Sequence, residues 1–326
     1  MARIALDAMG GDFAPHQTVL GAIDAAQTGV DVVLVGDEAV LAAELDGLGH
    51  SLPIVHAPDV IGMGDDPSSA IREKKGASVT VAARLVADGE VAGMVSAGST
   101  GAAMAAAAIV IGRVAGVGRP AIAAIFPFGS PTVVLDAGAN LDVTPEHLAQ
   151  FAVMGSVMAQ VYLGIENPTV GLLNIGEEPS KGRDLEKTAH ALLTTLNIRF
   201  VGNVEGRDLG RGVADVFVTD GFTGNVVLKT AEGVARRVGS ALFESLSSDA
   251  DVETQRAAAA FLPKLNRLRE RFDPEAYGGG HLLGVKGTVV IAHGSSSRIA
   301  IANALRQAAD GADRGMVAMI EAGLSG

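Results

Sequence analysis

Five short turns rich in glycine, serine and threonine contain the residues of this chain whose types and spacing could do chemistry. Each turn follows a run of strand-forming residues and opens a segment with helical character. The turns cover residues 96–101, 136–140, 174–182, 220–225 and 293–297. The first turn of a helix carries backbone N–H groups without partners and the positive end of the helix dipole, so it attracts anions. Five such turns predict a sheet edge that holds phosphate or a similar oxyanion.

Small and polar residues in these turns are the candidate phosphate ligands. They are Gly98, Ser99, Thr100, Asn140, Gly224 and Ser295. For the turn at 96–101, ordinary helix capping and anion binding explain the hydroxyl groups equally well. Thr223 and Asn225 repeat the pattern beside Asp220, which is also typical of a residue that closes its own turn.

Charged residues near the strand ends add a second group of candidates. Lys181 and Arg183 open a helix, where the dipole disfavours cations unless an anion offsets them; a solvated surface lysine is the alternative for Lys181. His293 opens a serine-rich turn, as either a catalytic group or a hydrogen-bonded turn residue. Asp7 and Asp12 flank a glycine pair, where they accept hydrogen bonds from substrate or fix the turn. The predicted catalytic residues are Lys181, Thr223, Asn225 and His293.

Composition excludes several classes of function. The 326 residues include no cysteine, so thiolate nucleophiles, disulfides and cysteine-ligated metals are excluded. A formal net charge of −12 argues against a nucleic-acid-binding protein. The near match to a dinucleotide fingerprint at 116–121 follows a helix and contains Pro120, and no phosphate-binding P-loop sequence is present. The histidines lack metal-ligand spacing, so we predict neither a metal nor a cofactor.

Strands and helices alternate along almost the whole chain, and several strands are apolar without alternation. Residues 132–135 and 288–291 are examples, which indicates burial on both faces of a sheet. We therefore predict one α/β domain over residues 1–326, a three-layer α/β/α fold with a mostly parallel sheet. In this class ligands bind beyond the carboxyl ends of the strands, where all five turns are expected to lie.

Two apolar stretches bear on membranes. Residues 91–112 are uncharged and long enough to span a bilayer, but the turn at 96–101 interrupts them, so we expect a cytoplasmic protein. Residues 247–280 contain no convincing strand and end in three glycines, which indicates a helical arm with a flexible return. Lys264, Leu265, Arg267, Leu268 and Arg271 place a basic stripe beside an apolar one. The arm either packs on its own protein or a dimer mate, or contacts a membrane surface or an acidic protein.

Seven segments in order make the chain resemble the phosphate acyltransferase family of bacterial phospholipid synthesis. They are LDAMGGD at 6–12, SAGSTGA at 96–102, LDAGAN at 135–140, LLNIGEE at 172–178, GNVEGRD at 202–208, TDGFTGN at 219–225 and HGSS at 293–296. One departure is Ser99, where the family commonly has asparagine. The resemblance implies an isocitrate/isopropylmalate dehydrogenase-like fold that is related to phosphotransacetylases.

The resemblance also implies a reaction and its partners. A long-chain fatty acyl group is transferred from acyl carrier protein to inorganic phosphate, which gives acyl phosphate for phospholipid synthesis. The enzyme is expected to be a homodimer at the membrane surface, near the membrane-bound glycerol-phosphate acyltransferase that uses the product. The arm would contact carrier protein or lipid. Two rival readings are a phosphotransacetylase-like enzyme that uses acyl-CoA and a non-catalytic membrane-surface scaffold.

Overall fold

The computed structural model describes residues 1–247, 259–261, 263–264 and 274–325. A single eleven-stranded sheet runs through this part of the chain, with strands in the order β3-β2-β1-β4-β11-β10-β5-β6-β9-β7-β8. The strands are β1 (Arg3–Asp7), β2 (Asp31–Gly36), β3 (Ile54–His56), β4 (Gly93–Ser96), β5 (Ala121–Phe126), β6 (Thr132–Leu135), β7 (Thr169–Asn174), β8 (Arg199–Glu205), β9 (Val216–Val218), β10 (Gly280–Leu283) and β11 (Thr288–Ile291).

Helices cover both faces of this sheet. They are α1 (His16–Gln27), α2 (Glu38–Leu48), α3 (Pro67–Glu73), α4 (Ser78–Ala87), α5 (Thr100–Ala106), α6 (Pro145–Met158), α7 (Asp184–Leu193), α8 (Gly221–Ser247), α9 (Arg298–Asp313) and α10 (Met316–Ser325). Helix α5 continues directly into a π-helical turn, Ala107–Ile111, and α6 into another, Ala159–Leu163. Residues 259–261 and 263–264 are also helical.

The hydrophobic core lies in layers between the helices and the sheet. One apolar cluster joins α1, α2 and α9 to one face of β1, β2, β4 and β11, and another joins α3, α4 and α5 to the opposite face. The remaining strands are covered in the same way, by α6, α7 and α10 on one face and by α8 on the other. The predicted three-layer α/β/α fold is therefore confirmed.

Strand direction reverses in the middle of the sheet. Strands β1, β2, β3, β4 and β11 are parallel to one another, and so are β6, β7, β8 and β9. Between these groups, β10 pairs antiparallel with β11 and β5, and β5 pairs antiparallel with β6. Three successive antiparallel pairs make the two groups run in opposite directions, so their carboxyl ends lie at opposite ends of the sheet. The prediction that all five turns lie at one edge is wrong.

Several further predictions need correction. The sequence pattern does not show α3, β5, β10 or α10, and α8 begins at Gly221, inside the predicted turn at 220–225. The glycines at 278–280 are not a flexible return. A Cβ at Gly278 would lie 2.3 Å from the Ala304 nitrogen, and one at Gly279 would lie 2.4 Å from the Ile291 oxygen. Close packing of backbone on α9 and β11 therefore requires these glycines.

No helix within the described residues has the length and apolar character needed to cross a bilayer.

A buried histidine in β10 makes stability depend on pH. The His281 ring nitrogen Nε2 is 2.7 Å from Gln307 Oε1, and Nδ1 lies 3.4 Å from the Tyr162 hydroxyl. Complete burial lowers the pKa of His281 to about 4, while the bond to Gln307 opposes this shift. The unfolded chain binds this proton at a pKa of about 6.5. The unfolded state therefore takes up the proton first as the pH falls.

We expect the free energy of unfolding to fall by about 3 kcal/mol between pH 7 and 4 because of this one group. His281→Gln should remove that part of the pH dependence, measured by denaturant unfolding at several pH values. The control is His50→Gln, at an exposed position. This variant should retain the pH dependence of the free energy of unfolding. If the free energy of unfolding changed equally with pH in wild type and in His281→Gln, the assignment of this pH dependence to His281 would be contradicted.

Candidate functional site

The structure divides the predicted site residues between the two ends of the sheet. The first cluster lies at or just after the ends of β1, β4 and β11 and consists of Asp7, Asp12, Gly98, Ser99, Thr100, His293 and Ser295. Asn140, Lys181, Thr223, Gly224 and Asn225 follow β6, β7 and β9, and we call them the second cluster. β11 and β6, the nearest of these strands, are three strand spacings apart, roughly 14 Å at about 4.8 Å each. The two clusters therefore follow separate groups of strands, whose carboxyl ends lie at opposite ends of the sheet.

Asp7 is the buried centre of the first cluster. Its side chain ends β1 and is only 2% exposed. The Ser96 hydroxyl donates to Asp7 Oδ2 at 2.7 Å, whereas the buried Asp7 Oδ1 has no hydrogen-bond partner in the described structure. Burial raises the pKa of Asp7 above its usual range, although nearby hydroxyl and backbone groups oppose the shift. A buried acceptor without a donor is costly and marks a place where a ligand can supply one.

A small cavity of about 10 Å³, room for about one water molecule, adjoins this carboxyl. Its lining includes Ser78, Gly98 and Ser99, with Val60 and Ile61 from the segment that precedes α3. Ser78 is the first residue of α4, and Ser99 is the N-cap of α5, where its hydroxyl accepts from the Ala102 N–H. The starts of two helices therefore meet at the cavity, where the Ser78 N–H donates to the Asp59 carbonyl at 3.0 Å and the Gly98 N–H to the Ser96 hydroxyl at 3.2 Å. The positive ends of two helix dipoles in this place favour an anion.

The glycine turn after β1 closes one side of this cavity. A Cβ at Gly10 would lie 2.5 Å from Asp7 Oδ2 and 2.8 Å from the Gly98 nitrogen, so only glycine permits this approach. The Asp12 N–H donates to the Gly294 carbonyl at 2.8 Å, which ties the turns after β1 and β11 together. His293 and Ser295 are exposed at this rim, with Nδ1 and Oγ 3.1 Å apart.

The second cluster is organised by Asp136, which is fully buried. Asp136 Oδ1 accepts from the backbone N–H groups of Ile122, Gly138 and Ala139, and Oδ2 accepts from the Asn140 N–H and side-chain amide. The Asn140 amide also donates to the Pro120 carbonyl at 2.8 Å. Both hydrogens of that amide are therefore used within the protein. The amide of Asn140 is thus not available to phosphate, contrary to the prediction.

The polar groups at the start of α8 also have hydrogen-bond partners within the protein. Asp220 Oδ1 accepts from the Thr223 N–H at 2.8 Å, and Oδ2 accepts from the Thr223 hydroxyl at 2.9 Å. Arg183 Nη2 donates to the same Oδ2 at 3.0 Å and also contacts Glu186. Burial of Glu186 opposes the effect, but the bonds from Arg183 lower the pKa of that carboxyl. A carboxylate and an arginine thus occupy the place where an anion would bind at this helix.

Of the other predicted residues of the second cluster, Lys181 and Asn225 lie at the surface and Gly224 is buried. Lys181 precedes the N-cap of α7 by two residues, and its Nζ is 3.9 Å from Glu178 Oε2, so the lysine charge faces a carboxylate on the surface. Asn225 is exposed and lies beside Gly138, where a Cβ would be 3.6 Å from the Asn225 Cβ. A Cβ at Gly224 would lie 1.9 Å from the Asp136 carbonyl oxygen. The glycine is thus explained by helix packing.

The predicted arm falls largely outside the described residues. Lys264 is helical and exposed. Leu265, Arg267, Leu268 and Arg271 lie outside the described residues.

An acidic group occurs near the second cluster. Glu177, Glu205 and Asp208 bring carboxylate oxygens within 4.8 Å of one another. Arg207 pairs with Glu177 and Glu205, and Arg211 pairs with Asp208. These ion pairs balance the acidic charge, so we do not assign a metal site to this group.

Sequence reasoning missed two parts of the first cluster. Ser78 was hidden because its helix begins after an inconspicuous Gly76–Ala77 pair, although serine near a helix start is a usable signal. Val60 and Ile61 lie in a segment without periodicity, and only the three-dimensional fold brings them over Asp7.

Comparison with known proteins now identifies the family. Residues 2–319 match the family model described as "Fatty acid synthesis protein". The chain belongs to this family. Its relatives include "Phosphate acyltransferase" of Desulforamulus reducens, 49% identical over 99% of this chain and 98% of the relative. The protein of the same name from Geobacillus thermodenitrificans is 46% identical, again over 99% and 98%. The family resemblance stated from the seven segments is confirmed.

Solved structures show the same fold at low identity. A phosphotransacetylase, EutD, from Staphylococcus aureus is similar with a TM-score of 0.63 and 19% identity, over 95% of this chain and 94% of that one. A 4-hydroxythreonine-4-phosphate dehydrogenase from Burkholderia phymatum is similar with a TM-score of 0.55 and 15% identity, over 95% and 98%. The expected fold relation to phosphotransacetylases is therefore confirmed.

Two glycines of α8 provide a test of the packing at the second cluster. We expect Gly224→Ala to lower the free energy of unfolding by about 1–3 kcal/mol, because the new methyl group overlaps the Asp136 carbonyl. Gly233→Ala is the matched control, since a Cβ there meets nothing within 4 Å. It should stabilise the helix by up to about 1 kcal/mol. Denaturant unfolding measures both, and equal effects would contradict the packing argument.

Proposed function

We propose that this protein transfers a fatty acyl group from acyl carrier protein to inorganic phosphate, giving acyl phosphate for phospholipid synthesis. The family membership and the phosphate acyltransferase names of relatives 46–49% identical over nearly the whole chain support this reaction. The observation that carries the proposed location of the site is the meeting of two helix N-termini, those of α4 and α5, beside the ends of β1 and β4.

The chemistry requires positioning more than a protein nucleophile. Phosphate is already an anionic nucleophile at neutral pH, so direct attack on the thioester needs no acyl-enzyme, and the chain has no cysteine to form one. Holding two reactants in place supplies up to roughly 7–11 kcal/mol of the barrier. One hydrogen-bond donor to the tetrahedral oxyanion adds about 3–4 kcal/mol. The backbone N–H groups at the starts of α4 and α5 are the donors in this proposal.

The partners follow from the same family reading. The thioester is delivered by acyl carrier protein, and the protein acts as a homodimer at the membrane surface. Exposed apolar side chains surround the first cluster, namely Phe13, Val60 and Met63. Their position beside the proposed phosphate site suits a substrate with a fatty acyl chain. Lys264 and the other basic residues of the arm serve as a contact for carrier protein or lipid.

A phosphotransacetylase that uses acyl-CoA is the second candidate, because the fold resembles the Staphylococcus aureus enzyme. The two candidates differ in the acyl donor. We expect palmitoyl-acyl carrier protein with phosphate to give acyl phosphate, trapped with hydroxylamine as the hydroxamate, at a higher rate than acetyl-CoA. A faster reaction with acetyl-CoA would favour the second candidate. No phosphate-dependent hydroxamate from either donor, with the protein folded, would sink both.

Alanine variants decide which cluster holds phosphate. We expect Ser99→Ala to raise the KM for phosphate at least tenfold, since Ser99 is the N-cap at the cavity and its loss perturbs the start of α5. Lys181→Ala and Thr223→Ala should have smaller effects, because Lys181 faces Glu178 and Thr223 is bound to Asp220. Steady-state kinetics with varied phosphate measures all three. A larger effect of Lys181→Ala or Thr223→Ala would move the phosphate site to the second cluster.

A further inference from the structure

We propose that a cavity between α5 and the segment before β5 binds a phosphate ester on an uncharged chain, through Arg113 and Arg119. In the reaction proposed above, such an ester is the phosphopantetheine arm of the acyl donor. The name of the ligand therefore rests on the proposed function, whereas the site itself does not. The cavity has a volume of about 360 Å³, within the usual range for small-molecule sites.

The lining of this cavity combines apolar and cationic side chains. Met104 and Ala108 contribute to it from α5 and its π-helical turn, and the buried Leu282 contributes from β10. Arg113 and Arg119 line it from the segment that connects this turn to β5, and both are exposed. The cavity thus has an apolar surface inside and two positive charges on its solvent side.

The segment that carries the arginines includes residues 116–121, which are a near match to a dinucleotide fingerprint. Its backbone is held by the rest of the protein. Gln150 Oε1 accepts from the Gly118 N–H at 2.8 Å, and Gln150 Nε2 donates to the Gly116 carbonyl at 2.9 Å. Arg113 Nη1 donates to the Gly118 carbonyl. Because this backbone is ordered before a ligand arrives, binding costs less conformational entropy.

The two arginines have no acidic partner within the described residues. Arg113 bonds only the Gly118 carbonyl there, and Arg119 makes neither a hydrogen bond nor an ion pair. No acidic side chain lines the cavity, although the chain has 37 acidic and 25 basic residues. Burial and then the positive charge of Arg119 lower the pKa of His147, against the opposing charge of Glu146. An anion between the guanidinium groups would offset their mutual repulsion.

The shape and donors of the cavity favour a phosphate ester over a free phosphate ion. Guanidinium groups bind phosphate oxygens through pairs of parallel N–H bonds. Asn140 also lines the cavity, but both hydrogens of its amide are used within the protein, so the arginines supply the donors. A free phosphate ion would leave the apolar surface of Met104 and Leu282 uncovered. An ester places its chain on that surface.

Helix α5 joins this cavity to the proposed phosphate site. Ser99 caps the start of α5, and Ala108 lies nine residues further along, roughly 13 Å at 1.5 Å per residue. In phosphopantetheine about a dozen bonds separate phosphorus from sulfur, which is roughly 14 Å when extended like a peptide chain. A donor with its phosphate on the arginines therefore brings its thioester to the start of α5.

Binding without turnover tests the site directly. We expect calorimetric titration with 4′-phosphopantetheine to give a Kd that rises at least about tenfold in Arg119→Gln, as expected for the loss of a charge-assisted hydrogen bond. Arg119 has no partner among the described residues, so the change removes charge without removing a packing contact. Pantetheine, which lacks the phosphate, should bind wild type and variant equally weakly.

Arg199→Gln is the matched control. Arg199 is exposed at the start of β8, four strand spacings from β5. This variant should bind phosphopantetheine as wild type does. Equal affinity of wild type and Arg119→Gln for phosphopantetheine would overturn the site. Inorganic phosphate that bound as tightly as phosphopantetheine, with the same loss in Arg119→Gln, would overturn the assignment to an ester.

Kinetics connect the site to the acyl donor. We expect Arg119→Gln to raise the KM for palmitoyl-acyl carrier protein at least about tenfold and to leave the KM for phosphate near the wild-type value. With palmitoyl-pantetheine, which has no phosphate, the KM of wild type and variant should be equal. A rise with both donors, or in the KM for phosphate instead, would overturn the assignment to the donor arm. Absence of hydroxamate with wild type would refute the proposed function and leave the calorimetric test of the site unaffected.

Discussion

The reversal of strand direction at β10 and β5 is the constraint on which the rest of the structure depends. β10 enters the sheet against both β11 and β5, and β5 turns back onto β6. If these strands were parallel to their neighbours, every carboxyl end would lie at one edge. Instead the chain has two sets of strand ends, one after β1, β4 and β11 and the other after β6, β7 and β9. The same kind of glycine-rich turn therefore serves two separate places.

The two ends differ in how far their polar groups are satisfied. At the second cluster, Asp136 accepts five hydrogen bonds and Asp220 is bound by Thr223 and Arg183. The turns there hold α8 against the sheet, and the buried Asn203 Oδ1, close to the turn after β7, has no hydrogen-bond partner in the described structure. At the first cluster, Asp7 has a buried oxygen without a donor, and two helix N-termini meet beside it. Because helix N-termini attract anions, this end is the proposed place for phosphate.

Much of the fold follows from sequence, and the residues show why the remainder does not. The apolar runs at β6 and β11 and the glycine-rich turns predicted the helix–strand alternation correctly. The sequence did not predict β10 because a histidine and several glycines are not typical of a buried strand. In the structure, His281 is buried and hydrogen-bonded to Gln307. Strand order and direction depend on pairings between distant residues, which local periodicity does not encode. Because the sequence pattern did not show β10, it predicted that all strand ends lie at one edge of the sheet.

The hydrogen-bond partners of the predicted site residues could not be derived from the sequence either. Thr223 and Asn140 were predicted as ligands from their residue types, yet both are used by carboxylates that arrive from the same turns. Asp7, by contrast, was predicted to accept a hydrogen bond from substrate or to fix a turn with Asp12, and it is buried with its carboxyl held by Ser96. Phosphate brings its own nucleophilic oxygen, so in the proposed reaction the protein needs to supply position and an oxyanion site. Burial separates the two aspartates of the first turn, because Asp7 is held by Ser96 inside the protein whereas Asp12, five residues later, is exposed.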